Sequence, residues 1–547
     1  MLKVVGASWL QTRISTYILV AVALLGIGAI ILGEFGRVEN DGTYSASVSW
    51  NRKGGYQIDF WGQGNDLSSL PLNAARAYYK TAIFQSGWSL VEIETSAKYP
   101  DAVQAYAAGL LEGSLTWQLI HHHWYNTVNV RCEKRPDRCR HLMTQLRENS
   151  DYIRERAQLR KSQEPFWHMV SLFYAQLDGL EAGFKFAVRR SRQQNVQMQS
   201  DDFLWLAMAD DLTDFNDDFN MTDAQIQAKG MIFVKALARE NLQPLMVFAH
   251  NTAAPYSKML RLLKRYKFNF HHAPFPTAEP IAAKSVVMSS YPGALSSHDE
   301  FYILEGNAHD NLLLVASTPL LSTSKRNNAS ITKERILSSV RVMAANRLAR
   351  GAESWSRMMT YEKSSLSTQR QWLSFEPRIN VIWLVEQQAG TTNSLNYSKV
   401  FAEASFLSCT GASFMDINTN DWMMQESVLQ KDHVTRLQKN ITTLEHVRRL
   451  MRGNDQRGDN HQTDLELSQI LTFRGDQESE PIPVGVIDSK ILAVDVDGLE
   501  TFEATSGPAN SPAGTPFEWS NTFPNISHVG HPDRFRFQSV TPFWIWI

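Results

Sequence analysis

The sequence predicts an α+β fold with one large domain, and three observations lead to this prediction. Apolar residues recur at helical spacing from Val103 to Phe184. Two short apolar runs, joined by a polar turn, occupy residues 230–252, which is the pattern of a pair of strands. Residues 285–318 and 484–494 also have strand character. This order of segments favours an α+β or a layered α/β/α fold, and periodicity does not choose between them.

Each expected element follows from its apolar periodicity and its flanking turn residues. In the first half we expect strands at 43–64 around Gly54-Gly55, a helix and then a strand in 71–95, and amphipathic helices from Val103 and from Pro165 to near Phe215. In the second half we expect strands at 230–250, a short helix at 256–265, β structure at 285–318, a helix at 331–348, and buried strands at 379–385 and 484–494. The polar stretch 452–483 is expected to be a surface loop.

Composition places the chain among ordinary folded proteins. Of 547 residues, 43% are hydrophobic and 20% charged, so a large core can be buried. The net charge of −2 gives no basic footprint for nucleic acid. The sequence has no phosphate-binding loop, no His-Glu-x-x-His pair and no Gly-x-Ser-x-Gly elbow. We therefore expect neither a metal nor a cofactor.

The first residues indicate targeting to the secretory pathway. Residues 14–33 contain no charge and are about long enough to span a bilayer, which takes ~20 residues. Lys3 and Arg13 precede them, so residues 1–13 are predicted to be a cytoplasmic n-region and residues 40–547 a lumenal domain. The apolar segment is either a signal anchor or a cleaved signal peptide. If it is uncleaved, it attaches the protein to a membrane.

Sequons and cysteines agree with a lumenal location. Asn-x-Ser/Thr sequons, which are expected to carry glycans, occur at Asn220, Asn328, Asn396, Asn440 and Asn525. Cys132 and Cys139 are close enough in sequence to pair across a loop in an oxidising compartment. The third cysteine, Cys409, is expected to be a small buried apolar residue.

Several segments, in order along the chain, resemble motifs of the phospholipase B-like family. The second apolar run of the strand pair ends in His250-Asn251-Thr252, which is similar to a signature of that family. Further matches lie at 104–113, 289–293, 299–302, 344–348, 386–390, 450–455 and 506–533. The opening residues 1–9 resemble the lamina-ancestor branch of the family. The resemblance covers residues 40–547.

The resemblance implies a fold, a reaction and a location. The fold is the N-terminal-nucleophile hydrolase fold, a four-layer αββα sandwich with two sheets between helical layers. The reaction is hydrolysis of acyl esters or amides in lipid degradation, with a phospholipid or a lipid-like amide as the partner. The location is the lumen of the secretory pathway, for a secreted or lysosomal glycoprotein. No cofactor and no nucleic acid are implied.

The residue at the family's nucleophile position is a departure from the family. In the phospholipase B-like family, a cysteine exposed by self-cleavage begins the first strand of the pair, and its own α-amino group acts as the base. Matching the lysine that closes that strand to Lys235 places the cysteine position at Gly230. No Cys, Ser or Thr occurs from Asp223 to Asn251, so self-cleavage is not expected. Thr222, the nearest hydroxyl residue, lies in a sequon well before the strand.

Four polar residues are candidates for lining the site. His250 and Asn251 either donate hydrogen bonds to an oxyanion or satisfy backbone groups at the strand end. Asn346 and Arg347 could polarise an acyl oxygen or bind an anionic head group. The structural alternative for Arg347 is an ion pair with a carboxylate. Two hypotheses stay open. The protein is a weakly active acyl hydrolase, or it is a pseudoenzyme that uses the retained pocket to bind a lipid or a protein partner.

Overall fold

The chain divides into two units, Met1–Gly42 and Thr43–Ile547. The computed structural model describes Tyr17, Val20 and residues 42–547 except 62–66, 194, 213–229, 307–311, 321–330, 362–368, 389–390, 415–421, 453–471, 496–499, 510–514 and 547. The expected n-region and signal segment therefore lie outside the described residues, apart from Tyr17 and Val20, which are helical. Within the described part of the chain, no helix combines the length and the apolar character that crossing a bilayer requires.

The second unit contains helices as well as strands, which confirms the predicted α+β class. In chain order the strands are β1 (Thr43–Asn51), β2 (Gly55–Phe60), β3 (Ala75–Lys80), β4 (Trp88–Thr95), β5 (Met231–Arg239), β6 (Leu242–Pro255), β7 (Arg261–Lys267), β8 (Ala283–Ser290), β9 (Phe301–Gly306), β10 (Leu312–Pro319), β11 (Arg370–Glu376), β12 (Val381–Gln388), β13 (Thr391–Asn396), β14 (Phe406–Cys409), β15 (Val484–Val494), β16 (Glu500–Ser506), β17 (Phe517–Glu518) and β18 (Arg534–Phe535). The longer helices are α1 (Asp101–Trp124), α2 (Pro136–Arg160), α3 (Pro165–Ser191), α4 (Ser200–Met208), α5 (Ser338–Leu348), α6 (Ala352–Thr360), α7 (Ser398–Ala404), α8 (Trp422–Leu437) and α9 (Leu444–Arg452).

Most strands belong to two sheets. The larger sheet has eleven strands in the order β13-β12-β11-β10-β9-β8-β7-β4-β3-β1-β2. The smaller sheet has five strands in the order β14-β5-β6-β15-β16. Among the described strands, β4 and β7 form the one parallel pair, with Trp88 opposite Arg261. The hairpin β5–β6, which directly follows Gly230, is central to the smaller sheet and pairs with β14 on one side and β15 on the other.

Three apolar clusters show which elements pack together. One cluster combines side chains of α1 to α6 with side chains of the larger sheet. A second contains residues of both sheets, such as Leu263 and Phe375 from the larger sheet and Phe248 and Leu492 from the smaller. A third combines the smaller sheet with residues of α8 and α9. Each sheet is therefore buried on both faces, and β15 is buried along its whole length.

Helices α1 and α3 cross at very short range because each carries two glycines one turn apart. A Cβ added at Gly109 or Gly113 of α1 would overlap a backbone carbonyl oxygen of α3. Likewise, a Cβ added at Gly179 or Gly183 of α3 would overlap a backbone carbonyl oxygen of α1. The absence of side chains at these four positions is what lets the two backbones touch. Of the two helices, α1 rests on the larger sheet through the strands β1, β3 and β4.

Most of the expected elements are confirmed, and two are wrong. The strands around Gly54-Gly55 and the helices from Val103 and Pro165 are present. The strands at 230–250, 285–318, 379–385 and 484–494 are also present. Of the helix expected at the start of 71–95, only Ile83–Ser86 is helical, and the residues before it form the strand β3. The helix expected at 256–265 is a short turn followed by β7. Both segments pair with two neighbouring strands, and this pairing overrides their local preference.

The helix expected at 331–348 begins later, at Ser338. Its start is fixed by Asp211, whose carboxylate accepts hydrogen bonds from the Ser338 backbone N–H at 2.7 Å and from the Ser338 hydroxyl at 2.9 Å. A carboxylate at this end of a helix satisfies backbone donors and complements the helix dipole. The expected helix end near Phe215 and residues 453–471 of the expected loop lie outside the described residues.

Candidate functional site

Gly230, the position matched to the family's nucleophile, is buried immediately before β5. Its carbonyl oxygen accepts a hydrogen bond of 2.7 Å from the Thr318 hydroxyl. A Cβ added at Gly230 would overlap the carbonyl oxygen of Asn251 and lie 3.6 Å from the Cα of Thr252. Because the overlapping atom belongs to the backbone, a side chain fits at this position only if a strand moves. Gly230 therefore brings no nucleophile to this point, and its surroundings leave no room for one.

Asn251 satisfies backbone groups with both ends of its side-chain amide. Its Oδ1 accepts a hydrogen bond of 2.7 Å from the backbone N–H of Met231, at the start of β5. Its Nδ2 donates to the carbonyl oxygen of Met451 in α9 at 3.3 Å. The side chain is fully buried. Of the two roles expected for Asn251, these contacts correspond to the structural one.

His250 is a buried, neutral imidazole with one nitrogen left over. Its Nε2 lies 3.0 Å from the carbonyl oxygen of Ser317, so Nε2 carries the proton and donates. Its ring stacks on Phe301, with 5.9 Å between the ring centroids. Burial and the nearby Lys490 ammonium hold the pKa of His250 well below its usual value. Nδ1 is buried and makes no hydrogen bond within the described part of the chain, so its lone pair faces the interior.

Thr252, the next residue but one, touches a buried group of four charged side chains. Arg261 pairs with Asp299 and lies 2.8 Å from Oδ2 of Asp488. Lys490 Nζ lies 2.8 Å from each carboxylate oxygen of Asp488. All four side chains are fully buried, so the two cations and two carboxylates neutralise one another without solvent. We call Arg261, Asp299, Asp488 and Lys490 the buried quartet.

The buried quartet does not activate Thr252 as a substitute nucleophile. Burial alone raises the pKa of Asp488, but Lys490 and Arg261 outweigh it and lower that pKa to about 2. Burial lowers the pKa of Lys490, whereas the carboxylates of Asp488 and Asp299 raise it. Because ionised Asp488 lies 2.8 Å away, we assign Lys490 as an ammonium whose three protons serve Thr252 Oγ1 at 2.6 Å and the two oxygens of Asp488. An ammonium that donates to the hydroxyl oxygen cannot remove the hydroxyl proton.

The guanidinium of Arg261 is enclosed by aromatic rings. It lies 4.7 Å from the ring of Trp88 and 4.6 Å from the ring of Tyr291. Tyr291 also donates from its hydroxyl to Asp299 at 2.5 Å. Two of the Arg261 nitrogens, Nε and Nη1, have no hydrogen-bond partner among the described residues. Like Nδ1 of His250, they are buried polar atoms that a bound molecule or water could satisfy.

A second group of buried charges lies beyond Ser317. Arg370 donates to the Ser317 hydroxyl at 3.1 Å and pairs with Asp210. Burial and Asp210 raise the pKa of Glu300 well above its usual value. Tyr302 donates to Oε2 of Glu300 at 2.9 Å, which leaves Oε1 of Glu300 and Oδ2 of Asp210 without other partners within the described chain. A proton shared between these two oxygens explains the raised pKa of Glu300 and gives each oxygen a hydrogen-bond partner.

Hydrogen bonds connect the two groups of buried charges through the residues around Gly230. His250 reaches the carbonyl of Ser317, and Thr318 reaches the carbonyl of Gly230. On the other side, Thr252 reaches Lys490 of the buried quartet. The site therefore consists of a hairpin end between two sets of buried ion pairs. Such an arrangement can hold and orient a polar group, but it presents no activated hydroxyl or thiol among the described residues.

Sequence reasoning missed most of these residues. Asp488 and Lys490 stand two apart in the otherwise apolar strand β15, and that spacing was the available signal. On a strand, residues two apart face the same side, so their charges must meet the same surroundings. A charged pair inside a fully buried strand indicates a buried partner of opposite charge. Asp299 lies in one of the segments that resemble the family, but nothing in the sequence links it to Arg261.

Asn346 and Arg347 lie elsewhere. Arg347 donates to the backbone carbonyl of Lys284 at 2.9 Å and lies 4.6 Å from the ring of Phe268, and burial lowers its pKa to about 9. Asn346 accepts a hydrogen bond of 2.8 Å from the indole of Trp355. Both belong to α5, which packs on the larger sheet, whereas Gly230, His250 and Asn251 belong to the smaller sheet region. The structure does not bring the two sets of candidates together.

The remaining sequence candidates concern covalent modification. Asn396, Asn440 and Asn525 are exposed, as glycosylation requires. Asn220 and Asn328 lie outside the described residues, as does Thr222. Cys132 and Cys139 form a disulfide. Cys409 is a buried free thiol, as expected for a small apolar residue.

A cleft of about 250 Å³ lies in another part of the second unit. Its ionisable side chains already have partners, since Arg350 pairs with Glu279 at 2.7 Å and Glu376 accepts the backbone N–H of Ala352 at 2.8 Å. None of the residues of the Gly230 site lines it. We therefore place the candidate site at Gly230, where the matched hairpin meets the buried charges.

Fold and site together define an α+β protein with two large sheets, in which glycine stands at the position matched to the family's nucleophile. The model of the phospholipase B family matches residues 75–542, so the chain belongs to the phospholipase B-like family, which confirms the resemblance. The phospholipase B-like lamina ancestor of Drosophila melanogaster is 28% identical and aligns over 100% of both chains. Phospholipase B-like 2 of Homo sapiens is 27% identical over 96% of this chain and 95% of its own. Phospholipase B-like protein B of Dictyostelium discoideum is 26% identical over 90% and 88%.

Proposed function

We propose that this protein is a member of the phospholipase B-like hydrolase family in which hydrolysis of acyl esters or amides is weak or absent. The observation that carries the proposal is Gly230, where the matched nucleophile is absent and an added Cβ would overlap the Asn251 carbonyl oxygen. The two hydroxyls nearby are already engaged, Thr318 with Gly230 and Thr252 with Lys490. With no side-chain nucleophile there, the reaction that starts from an N-terminal residue has no first step.

The proposal includes the architecture and location implied by the family. Two sheets that share one apolar cluster, each with helices on its other face, support the four-layer αββα arrangement of N-terminal-nucleophile hydrolases. Exposed sequons at Asn396, Asn440 and Asn525 and the disulfide between Cys132 and Cys139 support a secreted or lysosomal glycoprotein. Fold alone does not establish activity, so the site decides it.

The second candidate function is binding of an acyl lipid or lipid-like amide without turnover, as a pseudoenzyme. The unsatisfied atoms Nδ1 of His250 and Nε and Nη1 of Arg261 favour it. Buried polar atoms normally have partners, and an ester or amide group offers both a carbonyl acceptor and, for an amide, a donor. A protein partner that enters the same site would use the same atoms.

The first test is whether the chain processes itself. We expect a denaturing gel of the purified protein to show one chain, apart from any removal of the N-terminal signal, because Gly230 cannot start an acyl shift. Two fragments that meet at or near residue 230 would contradict the proposal.

The second test is release of fatty acid from phosphatidylcholine at acidic pH. We expect little release from the unmodified protein and no further loss in Thr252→Val, since Thr252 is not activated. Clear release that Thr252→Val abolishes in a folded protein would show that the site is catalytic after all. Binding of a fluorescent phosphatidylcholine, lost in His250→Phe, would separate the pseudoenzyme from an active hydrolase.

A further inference from the structure

Lys258 is a half-buried cation for which the described part of the chain provides no counter-ion. It ends the short turn Tyr256–Lys258, which directly follows β6, the strand of His250 and Thr252. Its Nζ lies 5.9 Å from the centroid of the Tyr291 ring, and among the described residues it makes neither an ion pair nor a hydrogen bond. A cation taken out of water ordinarily has a partner, because leaving it unpaired costs free energy.

The acidic side chains near Lys258 are already paired with other cations. Asp299 pairs with Arg261 in the buried quartet, and Asp210 pairs with Arg370. The quartet holds two cations and two carboxylates. The group of Asp210 is neutral too, because burial and Asp210 raise the pKa of its glutamate well above the usual value. Lys258 therefore adds a positive charge that neither group neutralises.

The pKa of Lys258 reflects this surplus of positive charge. Burial and the charge of Arg131 lower it to about 8, although Asp210 and Asp299 act in the opposite direction. Lys258 is therefore an ammonium at neutral and acidic pH. An anion bound beside Lys258 would raise its pKa again, since an opposite charge favours the charged form.

Two imidazoles approach the same tyrosine ring as Lys258. His123 stacks on Tyr291 with 5.5 Å between the ring centroids, and the ring of His298 lies 6.2 Å away. Burial lowers the pKa of both histidines, and the charge of Lys258 acts in the same direction, so both are neutral at neutral pH. Nδ1 of His123 is buried and has no hydrogen-bond partner within the described chain. A neutral imidazole can serve a ligand as donor or as acceptor, depending on its tautomer.

The backbone that carries His298 is strained. His298 and Glu300 both have a φ of 57°, in the left-handed region that residues with a side chain adopt only rarely. Side-chain contacts hold this conformation, since Nε2 of His298 donates to the carbonyl of Ala207 at 3.1 Å and Tyr302 donates to Glu300 at 2.9 Å. Strain of this kind persists where the surrounding structure imposes it, and it clusters at sites that hold ligands.

The side chains around Lys258 keep partial access to solvent. Lys258, Arg131, Asp210 and His298 are all half-buried, whereas Tyr291 is buried. Lys258 interacts electrostatically with each of the other three half-buried groups. A small ion can therefore reach Lys258 from solvent without disturbing the core.

We propose that Lys258, beside Tyr291 and His123, anchors a binding site for a phosphate group. The phosphate oxyanion supplies the counter-charge that Lys258 lacks, and a further oxygen or hydroxyl of the phosphate serves Nδ1 of His123. The phosphate is either a free ion or part of a lipid head group, because the chemistry at Lys258 is the same for both. Binding needs no hydrolysis and no nucleophile at Gly230, so it can be tested whatever the outcome for the proposed function.

The test is thermal unfolding of the purified protein, followed by circular dichroism, because a ligand that binds the folded state raises the midpoint temperature. We expect millimolar inorganic phosphate to raise the midpoint by more than sodium chloride of the same ionic strength does. Dihexanoyl phosphatidic acid, used below the concentration at which it forms micelles, distinguishes the two sources. A larger rise with this lipid than with inorganic phosphate assigns the site to a head group, and an equal or smaller rise assigns it to the free ion.

The variant Lys258→Met removes the charge and keeps a side chain of similar length. We expect it to melt at a higher temperature than the unmodified protein when no phosphate is present, because an unpaired charge has been removed. Its affinity for phosphate, measured by isothermal titration calorimetry, should fall by roughly tenfold or more. Lys258→Arg keeps the charge and should still bind phosphate. His123→Phe keeps the stack on Tyr291 and should bind phosphate more weakly than the unmodified protein does.

The matched control is Lys98→Met, which removes an exposed cation elsewhere and changes the net charge equally. It should respond to phosphate as the unmodified protein does, and an equal loss of affinity in this control would overturn the proposal. The absence of a specific rise with either phosphate compound, or an unchanged affinity in Lys258→Met, would overturn it as well. So would a lower midpoint for Lys258→Met without phosphate, since Lys258 would then have a partner inside the protein.

Discussion

At Gly230 the backbone leaves less room than an alanine needs. The overlapping atom is the carbonyl oxygen of Asn251, whose own side chain ties Met231 to Met451. Moving this strand end would therefore disturb several hydrogen bonds together. The glycine has an ordinary backbone angle, so its small size and not its flexibility is what the position requires.

Replacing Gly230 by alanine should destabilise the protein. We expect Gly230→Ala to lower the free energy of unfolding by ~1–3 kcal/mol, as is usual for overpacking in a core. Urea denaturation followed by tryptophan fluorescence measures the change. Gly54→Ala is the control, since its Cβ would meet only the exposed side chain of Asn51. Equally small changes in the free energy of unfolding for both variants would show that the strand end moves aside without loss of stability.

Single residues were only partly predictable from the sequence. The absence of Cys, Ser and Thr near Gly230 was readable directly, and it led to the vacated site. The buried quartet was not, because Arg261 comes from the larger sheet, Asp299 from the turn before β9, and Asp488 and Lys490 from the smaller sheet. Ion pairs of this kind depend on how the sheets meet, and local pattern holds no information about that contact.

Among the elements, the crossing of α1 and α3 depends on backbone contact and not on interlocking side chains. Glycine inside a helix ordinarily costs about 0.5–1 kcal/mol relative to alanine. The four glycines bear this cost because they allow a contact that no other residue permits. Replacing one of these four glycines by alanine should therefore destabilise the protein, whereas the same replacement in an exposed helix usually stabilises it.

Alanine at these positions should separate the two helices. We expect Gly109→Ala and Gly183→Ala each to destabilise the protein by ~1–3 kcal/mol, although alanine is the better helix former. Thermal unfolding followed by circular dichroism measures the loss. Gln158→Ala, at an exposed position of α2, serves as the control and should change stability by less than ~0.5 kcal/mol. A rise in stability for Gly109→Ala would refute the close crossing.

Elements with strong periodicity were predicted correctly, and those decided by pairing were not. The helix from Pro165 and the strand Val484–Val494 are long and regular, and they formed as expected. Residues of β3 and β7 are strands because each lies between two partner strands. That choice is made by tertiary structure, where local propensity is a weak guide.

For the molecule as a whole, the protonated Glu300 links global stability to pH. The pKa of Glu300 is raised in the folded state, so the folded state binds its proton more tightly than the unfolded state does. This contribution to stability is complete below the carboxyl pKa of the unfolded chain. It is lost as the pH rises through the raised pKa of the folded protein. An acidic compartment would therefore favour this part of the fold.

Replacing Glu300 by glutamine should remove this dependence on pH. Glutamine stays neutral and keeps a donor for Asp210, so Glu300→Gln should gain stability relative to the unmodified protein as the pH rises from acidic to mildly alkaline. Urea denaturation at a series of pH values measures the difference. Glu403→Gln, at an exposed position of α7, is the control and should give a curve parallel to that of the unmodified protein. A parallel curve for Glu300→Gln would mean that Glu300 is ionised throughout.

The parallel pairing of β4 with β7 governs the order in which the chain can fold. Helices α1 to α4 and the hairpin β5–β6 lie between these two strands along the chain, so their contact closes a very long loop. Such closure is entropically costly, and folding slows as contacting residues become more distant in sequence. Without this pairing the larger sheet consists of a four-stranded part and a seven-stranded part, each with an unpaired edge open to other chains. We therefore expect their joining to be slow, and a chaperone that covers those edges to raise the yield of native protein.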